Sequence, residues 1–308
     1  MKLATIDIGT NTALLLVAEV EGEAIQVLDE RAEITRLGRG IGTGGGLGET
    51  GINATLAALR DYVALVRQHG ARLAVIGTEA LRRAPNADAF LVPAAQILGT
   101  PVEVIDGDRE AALTYRATLE SFRAEATAGW LAVVDIGGGS TEIVLAQQGD
   151  VKFHTSLPLG SVRLTERFIH DDPPLPASCA SIETEVAAAL EAIPFPGTPL
   201  TLVGVAGTVT TLAAMALQMA SYDPTRVHGW SMHIDALDDQ IARLATANQS
   251  QREAMIGLDP RRADVILAGA LILRGIARRA GVSQVRVSDR GIRWGLLYDL
   301  RAAHAMPG

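Results

Sequence analysis

Residues 135–142 read DIGGGSTE, two carboxylates around three glycines and two hydroxyls. A glycine has no Cβ, so Gly137, Gly138 and Gly139 let backbone N–H groups close on a ligand; Ser140 and Thr141 add hydroxyl donors. Such a group of donors suits phosphate oxygens. Asp135 and Glu142, at either end, suit a hard divalent cation beside the phosphate, with Mg2+ the default. A strand that had only to pack would not choose an acid among its apolar residues. A plainer reading stays open from these residues alone: a glycine hairpin in which Asp135 favours the turn and Glu142 is exposed at a sheet edge.

This chemistry needs strands to carry it. Leu131 to Val134 is an apolar run and Ile143 to Leu145 another, so the stretch reads strand, tight turn, strand. Residues 3–20, LATIDIGTNTALLLVAEV, repeat the pattern, with Asp7 in the place of Asp135. AVIGT at 74–78 and VGVAGT at 203–208 each read as a strand delivering Gly-Thr to a helix, and they stand apart by nearly the same offset as Asp7 and Asp135. Two matches in the same order at nearly one spacing predict a duplicated half. The expected architecture is two similar α/β domains facing each other across a cleft, their Asp-Gly hairpins offering donors to one phosphate-bearing ligand.

The intervening segments hold further candidates. RLGRGIGTGGGLGET (36–50) lacks the Gly-Lys-Ser/Thr ending of a P-loop and reads as a mobile surface loop. Ile52, Leu56, Leu59, Val63 and Val66 mark one helix face, stopped at Gly70. Arg82 and Arg83 follow the first Gly-Thr turn; they form either a solvated helix start or a fork for phosphate oxygens. PVEVI (101–105) reads as a strand, and Glu110 falls in the first turn of the next helix, where any acid gains from the helix dipole. DDPPLPAS is a proline loop before a helix over 181–193, and Pro194 to Pro199 a turn. His228 has no metal-ligand spacing to another histidine and reads as a packing or hydrogen-bonding residue. Asp259-Pro260 reads as the cap of a long helix ending at Gly281. Arg261, Arg262, Arg278 and Arg279 on or before it form either a basic track or a solvated face.

Composition narrows the classes. At 308 residues and 48% hydrophobic content the chain can build two ordinary cores. A net charge of −8 argues against a nucleic-acid or anionic-membrane partner. The single cysteine, Cys179, excludes an internal disulfide and fits a reducing cytoplasm. MKLATIDIG reaches Asp7 too early for a secretory segment, and no apolar run is long enough to span a membrane. A cytoplasmic location follows.

Taken together, these strings resemble the Ppx/GppA phosphatases: exopolyphosphatases and guanosine pentaphosphate phosphohydrolases of the actin, sugar kinase and Hsp70 superfamily. DIGTNT, DIGGGSTE, GTEALRRAPNADAF, GDREA, GVAGTVTTLAA, RVHGWSM, LDPRRADVILAGALIL and SDRGIRWGLLYDL occur in family order over nearly the whole chain. The resemblance implies duplicated actin-like, ribonuclease H-like domains: residues 1–123 with the helix 294–308 packed back on them, and residues 124–293. It implies Glu110 and Arg82 as the catalytic pair, Glu110 orienting or deprotonating water. Asp135 and Glu142 become the Mg2+ carboxylates, another divalent cation being an alternative. Asp7, Gly9, Thr10, Asn11, Thr12, Arg83, Gly137, Gly138, Gly139, Ser140, Thr141, Gly207, Thr208 and Arg293 become the phosphate contacts. The implied reaction is hydrolysis of a terminal phosphoanhydride, of inorganic polyphosphate in the first place or of guanosine pentaphosphate (pppGpp); the reading allows a homodimer. Leu14 and Trp294 stand where many members carry other residues, which keeps a non-catalytic phospho-ligand sensor in view. An ATP-dependent kinase of the same superfamily is a further alternative.

Overall fold

The computed structural model describes residues 1–41, 45–197 and 199–305. Three glycine-loop residues (42–44), Thr198 of the expected turn and the last three residues of the expected C-terminal helix lie outside the described residues. The chain divides into two compact units, Met1–Ala117 with Ile292–Gly308, and Thr118–Gly291.

In the first unit β1 (Lys2–Ile8), β2 (Thr12–Glu21) and β3 (Ala24–Ile34) form an antiparallel meander, followed by α1 (Glu49–His69). β4 (Arg72–Gly77) then joins β1 in parallel and leads into α2 (Glu79–Arg83) and α3 (Asp88–Leu98). β5 (Glu103–Val104), much shorter than the PVEVI run suggested, completes the sheet order β3-β2-β1-β4-β5, and α4 (Gly107–Ser121) follows. Gly70 ends α1 as expected, in the left-handed conformation at φ 63°.

The second unit opens with α5 (Arg123–Ala128) and a second meander: β6 (Trp130–Ile136), β7 (Thr141–Gln147) and β8 (Asp150–Leu157). α6 (Ser161–Phe168) and α7 (Pro176–Leu190) come next. α7 starts earlier than expected, because Pro176 takes the first helical position, where a missing N–H costs nothing. β9 (Leu200–Val205) pairs in parallel with β6 and feeds α8 (Ala206–Ala216), followed by α9 (Pro224–Val227), β10 (Ser231–His233), α10 (Ile234–Thr246) and α11 (Gln249–Glu253). Asp259 caps only a short 3-10 turn, accepting from Arg261 N at 2.9 Å; the long helix α12 (Ile266–Ala280) begins later than expected. β11 (Gln284–Val287) lies parallel to β9, and the sheet order is β10-β11-β9-β6-β7-β8.

The final helix, α13 (Ile292–Ala305), belongs to the first unit. Its Trp294, Leu297 and Tyr298 pack with Leu3, Leu16, Ala18 and Ala117. Gly295 is required there, since a Cβ would sit 2.0 Å from the Leu113 carbonyl oxygen of α4. Trp294 is therefore a core residue.

Stripped of β10, the two sheets share one order, three antiparallel strands followed by two parallel ones, the ribonuclease H-like arrangement expected of the actin superfamily. The repeat extends to its irregularities. The second-to-third strand pairing shifts register between Val17 and Ala18 in one unit and between Leu145 and Ala146 in the other, the same offset that separates Asp7 from Asp135.

Candidate active site

Each β-hairpin places its turn at the end of a buried strand. Asp135 and Glu142 are direct cross-strand partners on β6 and β7, and Ser156 is Glu142's partner on β8. Both acids are buried, Glu142 to 2% exposure, and Ser156 Oγ donates to Glu142 Oε1 at 2.7 Å. β7 lies between β6 and β8, so the exposed-edge reading of Glu142 is excluded. Like charges directly opposite each other in a sheet repel, and a cation between them removes the penalty. The donor set is all oxygen and doubly anionic. Among the described residues no cluster of three or more His, Cys, Asp or Glu could hold a metal. Two carboxylates and a hydroxyl in one row suit a hard divalent cation that keeps several waters and takes further oxygens from a substrate.

The triglycine turn is held from one side. Gly137 N donates to Ser140 O at 3.0 Å, and the turn's carbonyls are met by the start of α6. Ser161 N reaches Gly137 O at 3.0 Å, Val162 N and Arg163 N reach Gly138 O at 2.9 and 3.1 Å, and Arg163 Nε reaches Gly139 O at 2.7 Å. Gly160 makes this approach possible, since a Cβ would stand 2.3 Å from Gly138 O. Thr141 is fully buried and its hydroxyl donates to Leu159 O at 2.7 Å, so among the expected phosphate donors its side chain has a structural partner.

The first hairpin repeats the turn with different contents. Gly9 N donates to Thr12 O at 3.0 Å, and Asp7 lies opposite Leu14 where the second hairpin has two acids. Here the glycine-rich segment holds the carbonyls: Gly38 N donates to Thr10 O at 2.8 Å, and Thr35 N and Arg36 N both donate to Asn11 O at 3.0 Å. Leu37 and Ile41 are buried, and Leu47 exchanges hydrogen bonds with the Asn86 side chain at 2.7 and 3.0 Å. The described part of that segment is thus a packed brace, which corrects the mobile-loop expectation; its small residues serve close contact, as at Gly38 against Thr10 and Ala80.

α2 brings charged groups to this hairpin. Glu79, which the sequence did not single out, accepts from Thr10 Oγ1 at 3.3 Å and from Arg83 Nη1 at 3.1 Å. Its spacing of four from Arg83 on a helix was the available signal. Arg82 Nη1 donates to Ile105 O at 2.6 Å and to the Glu110 carboxylate. Glu110 is 3% exposed, and the side chain that caps α4 is that of Asp106, which accepts from Arg109 N at 2.8 Å. Arg293, buried on α13, is paired with Glu30 of β3, while its carbonyl accepts from the Thr5 hydroxyl at 3.0 Å.

At the second Gly-Thr turn Ala206 adopts φ 66°, a conformation disfavoured for a residue with a Cβ and one that clusters at functional sites. The Arg262 guanidinium covers Gly207, where a Cβ would stand 2.4 Å from Nη1. Burial pulls the Arg262 pKa down, and neighbouring Asp259 opposes that. Thr208 is buried beside Gly269. Arg261 pairs with Asp259 at 2.9 Å, Arg278 with Asp238 at 3.0 Å, and Arg279 donates to Ile193 O at 3.1 Å. Of the two readings of these arginines, such partners weigh against the basic track. His228 is a hydrogen-bonding residue: Nδ1 accepts from Asp289 N at 3.3 Å, and its ring lies 5.4 Å from that of Phe122.

The model of the Ppx/GppA phosphatase family matches residues 16–304. The chain belongs to that family. It is 36% identical to Exopolyphosphatase 2 of Mycobacterium tuberculosis over 97% of this chain and 98% of the relative. It is 29% identical to the guanosine-5'-triphosphate,3'-diphosphate pyrophosphatase of Photobacterium profundum, over 96% of this chain but 59% of the longer relative. The crystal structure of the Aquifex aeolicus Ppx/GppA family member superposes with TM-score 0.83 at 32% identity, covering 100% of this chain and 99% of that one. No helix among the described residues is long and apolar enough to cross a membrane.

Proposed function

We propose that this protein is an exopolyphosphatase, a metal-dependent hydrolase that removes the terminal phosphate of inorganic polyphosphate as orthophosphate. The observation that carries the reading is the row Asp135, Glu142, Ser156 beside a turn whose carbonyls are all bound from behind. It is supported by the 36% identity to an exopolyphosphatase over almost the full length of both chains. Water attacks the terminal phosphorus in line with the bridging oxygen, which leaves with the shortened chain. Glu110 accepts the water proton, and Arg82 holds that carboxylate in one orientation. The N–H groups of the triglycine turn and of the start of α8 take up charge on the phosphoryl oxygens. Mg2+, held by Asp135 and Glu142, would supply Lewis-acid neutralisation of that charge.

The 29% relative favours one second reading, hydrolysis of pppGpp, which ends in the same anhydride. Phosphate release from polyphosphate, pppGpp and ATP, measured side by side with Mg2+, separates the two readings; turnover of none of them removes both. Glu110→Gln should lower kcat on the order of 10^2 to 10^4-fold with the fold intact. A variant at wild-type rate would take the base role from Glu110. We infer a cytoplasmic location, and sedimentation of the purified protein tests the homodimer that the family resemblance allows.

A further inference from the structure

The carbonyl of Gly139 is met by a side chain, where the same carbonyl of the first hairpin, that of Asn11, is met by the backbone N–H groups of Thr35 and Arg36. A trans peptide points its C=O and N–H to opposite sides. Carbonyls of Gly137, Gly138 and Gly139 directed at α6 therefore direct the N–H groups of Gly138, Gly139 and Ser140 the other way. Backbone donors from α6 secure the first two peptides, through Ser161, Val162 and Arg163. For the third, Gly139–Ser140, the hydrogen bond to the carbonyl comes from Arg163 Nε, at 2.7 Å. Three glycines in a row have little conformational preference of their own, so such a turn keeps one donor geometry only if each peptide is tied down. Arginine is well suited to this role, because its Nε–H sits in a rigid planar fork and it stays charged at any working pH.

We propose that Arg163 is a positioning residue for the second phosphate turn. Through its bond to Gly139 O it orients the Ser140 N–H toward the phosphoryl oxygen, without itself contacting the substrate. The inference rests on the phosphate-binding role given to that turn above.

The test uses the full-length protein, 15N-labelled, as wild type, Arg163→Ala and Arg163→Lys, with no substrate present for the first readout. The Ser140 amide resonance should move in Arg163→Ala while amides within β6 and β7 hold. Loss of a positioning contact should lower kcat/KM for polyphosphate about 10- to 100-fold, mostly in kcat, below the effect of deleting a donor itself. Millimolar guanidinium should restore part of the Arg163→Ala rate and leave the wild type unchanged. A Ser140 amide that stays in place, or wild-type kcat/KM in Arg163→Ala, overturns the proposal. Should the alanine variant not fold, Arg163→Lys reads the same amide, its ammonium lacking the planar fork. If the wild type hydrolyses no phosphoanhydride yet the Ser140 amide responds, the functional reading falls and the positioning role stands.

Discussion

The two hairpins are one structure with two fillings. Both close with a glycine N–H to a carbonyl three residues on, at 3.0 Å, and both strand pairings carry the same irregularity at equivalent positions of the repeat. They differ where chemistry is at stake. Across from Asp7 stands Leu14; across from Asp135 stands Glu142, backed by Ser156. The first turn is braced by a glycine-rich segment, the second by the start of a helix. The two hairpins share a backbone geometry, and of the two only the second sets a second carboxylate across from the first.

The sharpest test of that difference is the cation. Asp135→Asn and Glu142→Gln should each lower the rate and raise the Mg2+ concentration for half-maximal activity, because each removes one anionic donor. Asp7→Asn should lower the rate with a smaller change in Mg2+ dependence. Equal Mg2+ shifts in all three variants would erase the distinction between the hairpins.

The braces offer a smaller effect, read as stability. Gly160→Ala drives a Cβ into backbone, 2.3 Å from Gly138 O, whereas Gly38→Ala meets a side chain, Thr10 Cγ2 at 2.5 Å. Overpacking of this kind costs about 1–3 kcal/mol, and the backbone clash should fall at the upper end. Thermal melts giving the reverse order would show that the glycine-rich brace is the stiffer of the two.

A further contrast lies in β10 and the residues leading into it, which among the described residues have no counterpart in the first unit. His228 is held down to a pKa of about 4 by burial and by Arg290 and Arg286, against an ordinary value of 6.5. Its neutral ring accepts from Asp289 N. The unfolded chain then binds the proton more readily, so this contribution to stability is complete above about pH 6.5 and falls away as pH drops toward 4. The Tm difference between wild type and His228→Asn should shrink over that window; a constant difference would mean that His228 does not titrate there.

Much of this was legible in the chain. The repeat, the Asp-Gly hairpins, the Gly-Thr turns and the α/β class follow from local periodicity and turn chemistry, which depend on neighbours in sequence. Asp135 and Glu142 were legible as a pair because a tight hairpin of known length places them opposite each other. Glu110 was singled out only by resemblance, since an acid at a helix start is ambiguous in sequence; its ion pair with Arg82, from another element, is a fact of the tertiary structure. Arg163, Glu79 and Arg262 needed the tertiary structure. Each acts on a turn delivered by a distant segment: Arg163 on Gly139, Glu79 on Thr10, Arg262 on Gly207. The packing of the glycine-rich segment was hidden for the same reason, because glycine serves a free loop and a close backbone contact equally well, and only the residues brought against it decide which.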